Sequence, residues 1–191
     1  MKRGLLLAAL PVLMSAAPRR ADARPASKGF FAEAGMGAVA FLPPQSKDAA
    51  VGPVMTIRAG LDLFSWFSVG AYAAASSHEA TVPPPPEGEW FQLYRGGGDA
   101  RLGGLAGKVA FFVEGGVGVS MVSSNILEKT GRLDPGERFS VTFHGGGGLE
   151  YQLVNRHYAL GLAVDGFLAP QFSTMKAIES RLYLRYTYGG G

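Results

Sequence analysis

The chain contains no cysteine. That excludes a disulfide framework, a thiolate metal site, a cysteine nucleophile and a lipid-anchored amino-terminal cysteine. It also lacks an apolar run long enough to cross a bilayer as a helix, which takes about 20 residues. The longest candidate, "GLLLAALPVLMSAA" over residues 4–17, falls short of that length. Nothing after it repeats with the helical period. Charged residues make up only 17% of the chain, whereas glycine is abundant at 28 residues.

The amino-terminal segment reads as an export signal. Lys2 and Arg3 precede the apolar stretch, and "ADA" (Ala21–Ala23) supplies a small-residue cleavage site, so residues 1–23 are expected to be removed and 24–191 to form the mature domain. The net charge of +3 belongs to this tag, because Lys2, Arg3, Arg19 and Arg20 face only Asp22 there and the remainder is balanced. A balanced mature chain gives no electrostatic footprint for nucleic acid.

What the mature chain has throughout is alternation. In "KVAFFVEGGVGVSMV" (108–122), Val109, Phe111, Val113, Gly115, Val117, Val119 and Met121 share one face, while Ala110, Phe112, Glu114, Gly116, Gly118 and Ser120 share the other. A period of two is the strand period. The same split recurs over 29–42, 51–63, 66–77, 91–102, 139–153, 158–168 and 178–188. Eight such segments match the roughly 9–11 residues of a tilted membrane strand. The connections alternate as well. "FS", "GGLAGK" and "VNR" are short, whereas "PPQSKDAA", "HEATVPPPPEGEW", "SSNILEKTGRLDPGER" and "APQFSTMKA" are long or proline-rich. Short periplasmic turns and long outer loops are the habit of outer-membrane barrels.

Two arrangements share this alternation: a soluble barrel with its apolar face inside, and a membrane barrel with that face against lipid. The apolar faces are almost free of charge, and the polar faces carry few lysines and many small residues, which favours the membrane arrangement. The polar faces hold Glu33, Arg58, Asp62, Arg95, Asp99, Arg101, Glu114, His144, Glu150, Asp165, Glu179, Arg181 and Arg185. These residues are expected to form a paired network in a lumen that eight strands leave only wide enough for side chains. Phe30, Phe67, Phe111, Tyr151, Tyr158, Tyr186 and Tyr188 fall near the periplasmic strand ends, as an interfacial aromatic belt would. Trp90, Phe91 and Phe139 are expected in the outer belt.

With "FVEGGVGVS", "FHGGGGLEYQL" and the closing "RLYLRYTY", the chain resembles the small outer-membrane β-barrels of the OmpA-like and OmpX-like kind. The resemblance implies an all-β fold, an eight-stranded antiparallel up-and-down transmembrane barrel, inserted in the outer membrane of a Gram-negative cell after export. The Gly189–Gly191 tail departs from the family habit of ending on an aromatic residue.

Motifs for chemistry are sparse. The glycine runs 96–98 and 145–148 lack a following Gly-Lys-Ser/Thr and lie within strands, so they form no phosphate loop. His78, His144 and His157 fall on a predicted loop, a lumen face and a turn, and are not expected to converge on a metal. Some barrels of this kind modify lipid A with a serine–histidine pair. Adjacent Ser77 and His78 on a strand would point to opposite faces, and Ser180 is expected to face lipid. Pro83–Pro86 should form a stiff polyproline segment, and the segment from Ile126 and Leu127 through Arg138 is the longest outer loop. The expectation is therefore a non-enzymatic barrel without cofactor or metal. Its partners are membrane lipid and envelope proteins met through the outer loops. Alternatives are a component of gliding-motility machinery, a narrow channel for small or apolar solutes, a lipid A-modifying enzyme, and a secreted soluble barrel.

Overall fold

In a computed structural model, residues 28–81, 89–124, 138–154 and 157–189 are described. Eight strands follow one another: β1 (Gly29–Phe41), β2 (Gly52–Phe64), β3 (Phe67–Glu79), β4 (Trp90–Ala106), β5 (Val109–Val122), β6 (Phe139–Gln152), β7 (Tyr158–Ala169) and β8 (Met175–Gly189). Each pairs antiparallel with the next, and β8 returns to β1, so the sheet closes into a barrel without a free edge. Closure matters because an unpaired edge in hydrocarbon would leave backbone donors and acceptors unsatisfied.

Alternation decides which face goes where. Met55 and Ile57 are 70% and 63% exposed, and Arg58 beside them is 6% exposed. The same inversion holds around the ring: Val113, Val117, Leu162 and Leu182 face outward, while Glu114, Asp165 and Arg181 are buried. The barrel is inside out relative to a soluble protein, with an apolar wall toward lipid and charge within.

The boundaries differ most from the sequence expectation at β4, β8 and β3, with β8 beginning at Met175 rather than at 178. "GGLAGK" was expected to be a connection, but β4 runs on to Ala106 and the turn is Gly107–Lys108 alone. Gly107 has φ +65°, a left-handed conformation that glycine adopts at no steric cost. His78, expected on a loop, lies inside β3, which extends to Glu79. The three short turns share one end of the barrel with both strand termini Gly29 and Gly189, and the long connections share the other.

Glycine makes room for rings inside so narrow a barrel. A Cβ on Gly60 would lie 2.8 Å from Phe31 Cζ, so Phe31 can lie across β2 only because that position has no side chain.

Candidate functional site

The lumen is the one place where chemistry-bearing side chains converge among the described residues. Register builds it. Glu33 on β1 stands opposite Arg58 on β2 and Arg185 on β8, and Glu114 on β5 stands opposite Arg101 on β4. All of these point inward because they share strand parity.

The side chains then interlock. Arg58 donates to Glu33 at 3.3 Å, to Glu114 at 2.8 Å and to Asp99 at 2.6 Å. Arg101 donates to Glu33 at 2.9 Å, to Glu114 at 2.9 Å and to Glu150 at 3.3 Å. Arg185 reaches Glu33 at 2.6 Å and also bonds Asp62. Arg181 bonds Glu114 and Asp165, and Arg95 bonds Glu179. Two carboxylates act as hubs: Glu114 takes Arg58, Arg101 and Arg181, and Glu33 takes Arg58, Arg101 and Arg185. Rings cap several of the guanidinium planes: Arg101 lies 4.0 Å from the Phe112 centroid and Arg185 3.9 Å from that of Phe31. Ions withdrawn from water on this scale are tolerable only when paired and hydrogen-bonded, which this arrangement supplies.

His144 faces the same tier. Its ring meets Tyr72 edge-on at 4.7 Å, and its Nε2 is 4.0 Å from Asp99. His157 sits at a short turn and bonds the Thr187 carbonyl at 2.8 Å. Among the described residues no group of three or more His, Asp or Glu is placed to hold a metal ion.

The charged lining occupies only part of the length of the lumen. Toward the long-loop end the interior becomes apolar. Val39, Phe41, Val54, Leu93, Phe167, Met175 and Ala177 are buried together, with Phe91 and Phe172 packed against them. Phe91, expected in the outer aromatic belt, instead faces inward and lies 6.4 Å from Phe41, because it shares parity with Leu93 and Arg95. The signal was present in the sequence as apolar residues of both parities at strand ends, such as "AVAFL" (38–42) and "FLA" (167–169).

A second feature lies within this plug. Ser76 and His78 are two residues apart on β3 and therefore share a face. His78 Nε2 and Ser76 Oγ are 2.9 Å apart, and His78 Nδ1 lies 3.1 Å from the Ala50 carbonyl. The carbonyl can only accept, so Nδ1 carries the proton and Nε2 accepts from the serine. The sequence puts Ser76, Ser77 and His78 near the outer rim, but a strand expected to end at residue 77 leaves the i, i+2 pairing of Ser76 with His78 unmarked. The pair is 3% and 0% exposed and looks into the plug.

The seven aromatic residues expected near the periplasmic strand ends all lie at the short-turn end. Phe30, Phe111, Tyr151, Tyr158, Tyr186 and Tyr188 are exposed, and Phe67 is half-buried against Trp66 at 5.7 Å. Phe64 and Trp66, stacked at 5.4 Å, extend this girdle. Trp90 and Phe139 stand exposed at the other end. The expected signal (1–23), Pro83–Pro86, and Ile126 and Leu127 lie outside the described residues.

No protein-family model matches the sequence, and no curated protein does. Solved structures do. Neisserial surface protein A is 15% identical, with a TM-score of 0.61 over 84% of this chain and 97% of that one. The outer membrane protein OprG from Pseudomonas aeruginosa is 13% identical, with a TM-score of 0.58 over 88% of this chain and 100% of that one. The fold is that of a small outer-membrane β-barrel. At these identities the likeness concerns the fold alone. The apolar wall of this outer-membrane barrel is its lipid-facing surface, which accounts for large side chains such as Met55 and Ile57 standing exposed on it.

Proposed function

We propose that this barrel is a closed, non-enzymatic outer-membrane anchor that acts through its long loops, as an interaction subunit of an envelope assembly. One observation carries the reading: the lumen is blocked twice over its length. A guanidinium–carboxylate lattice centred on Glu33 and Glu114 fills the middle, and an apolar plug around Phe41 and Leu93 closes the long-loop end. A side-chain-filled interior provides stiffness rather than a path, so a narrow channel is the weaker reading.

The serine–histidine geometry argues in the same direction. A lipid A-modifying site needs its nucleophile where lipid can reach it, and Ser76 and His78 are buried facing the apolar plug. The lipid-facing Ser180 pairs in register with Ala38 and Val164, and neither can serve as its base. That leaves the long connections, since binding residues on rigid scaffolds usually sit in such segments.

Co-purification from outer membrane tests the proposal. A partner recovered with the intact chain should be lost when residues 125–137 or 82–88 are deleted, while heat-modifiable migration shows that the barrel still folds. Planar bilayers holding the intact barrel should stay silent. Reproducible single-channel steps, or a partner retained after both deletions, would overturn the reading.

A further inference from the structure

Two turns at opposite ends of the barrel meet the same backbone demand with different residues. The β4–β5 turn at the short-turn end needs a positive φ and has glycine there, Gly107 at +65°. The connection between β7 and β8 (170–174), at the long-loop end, needs two in succession and has no glycine: Ser173 has φ 50° and Thr174 φ 56°. The Met175 N–H donates to the Phe172 carbonyl at 3.0 Å, so residues 172–175 form the kind of tight turn that takes Asn-Gly or Gly-Gly at its centre. A β-branched residue such as Thr174 is an outlier there, because its Cβ crowds the backbone. The turn is therefore held in shape by its surroundings rather than by its own sequence.

Among the described residues, three sets of contacts do the holding. Phe172 packs against the plug. On the β6 side, Gln171 Oε1 accepts from the Ser140 hydroxyl at 2.5 Å and from the Val141 N–H at 2.9 Å, and the Gln171 N–H donates to the Ser140 hydroxyl at 3.2 Å. On the β1 side, Gln45 Nε2 donates to the Ser173 carbonyl at 3.0 Å. The connection is a strap, gripped from both sides, with one aromatic ring tucked beneath it.

Little else opposes its release. Gln171, Ser173 and Thr174 are exposed, so Phe172 supplies most of the apolar contact. Ala169 with Met175 is the last register pair of β7 and β8, so the residues between them can swing without breaking the ladder. Backbone strain that favours release stands against a short set of contacts that favours closure. Elements that move independently of their scaffold are built on such a balance.

We propose that the β7–β8 connection is a strap that opens while the barrel stays folded, lifting Phe172 off the plug and uncovering Ala169 and Met175 at the outer mouth. The ion lattice below stays shut, so opening changes the outer face and creates no passage. The device does not depend on what the other long connections bind.

The test uses the full chain refolded in neutral detergent micelles. The sequence has no cysteine, so a single thiol introduced by Ala169→Cys, at a position buried in the plug, reports opening. That thiol should react with a water-soluble maleimide about tenfold or more faster than the barrel unfolds, and the labelled chain should keep its heat-modifiable migration. Ser173→Asn combined with Thr174→Gly suits the turn and should slow labelling about tenfold. Gln171→Ala frees the strap from β6 and should speed labelling about fivefold. In chains without the thiol, hydrogen exchange of the Met175 amide should follow the same order, slowed by the first change and hastened by the second. The Thr187 amide, bonded to the His157 carbonyl at the opposite end, should exchange unchanged in both. The exchange measurement decides the matter if Ala169→Cys fails to fold. Labelling no faster than unfolding, or labelling and exchange indifferent to both changes, would overturn the proposal.

Discussion

The middle of the lumen and its long-loop end fill similar space by opposite means. In the middle, Glu33, Glu114, Arg58, Arg101, Arg181 and Arg185 share hydrogen bonds so that each ion has several partners. At the loop end, Val39, Phe41, Val54, Leu93 and Phe167 pack without charge. The charged tier fixes register, since a one-residue slip of any strand would send its ions into lipid. The plug contributes through close packing and depends on volume rather than on identity of partners. The two tiers should therefore fail differently when damaged.

The largest effect belongs to the carboxylates that each hold three guanidiniums, Glu33 and Glu114. Glu114→Ala leaves three guanidiniums short of a partner and should cost about 3–5 kcal/mol, read by urea unfolding of the barrel in lipid vesicles. Leu93→Ala in the plug should cost about 3 kcal/mol in the same assay, and Leu93→Met should restore most of it, since volume is what the plug needs. No isosteric swap should rescue position 114 in that way. Ser76→Ala strands the acceptor of His78 and should cost about 1–3 kcal/mol. Ser76→Ala combined with His78→Leu should cost less than Ser76→Ala alone, because both polar partners are then gone. At the small end, Val117→Leu on the lipid wall should change stability by no more than about 0.5 kcal/mol.

The same contrast explains what the sequence made legible. Alternation shows the charged tier directly: an isolated Glu114 or Arg58 amid apolar neighbours marks the lumen parity of its strand. The plug leaves a fainter mark, apolar residues of both parities as at Val39–Leu42, because an apolar residue facing lipid looks like one facing inward. Phe91 was placed outside for that reason. Partner choice inside the lattice was also beyond the sequence, because Glu114 reaches Arg58 and Arg181 across the barrel rather than along a neighbouring strand. The Ser76–His78 contact needed only a strand end placed two residues later.

Every part of this account requires the oily wall to face lipid and the ions to face one another. The absence of cysteine allows single labels to test it cleanly. Nitroxides at Val117 and Leu162, with the barrel in lipid vesicles, should collide readily with dissolved oxygen and hardly at all with a water-soluble nickel chelate. Free collision of both labels with the chelate would place that wall in water and contradict the account.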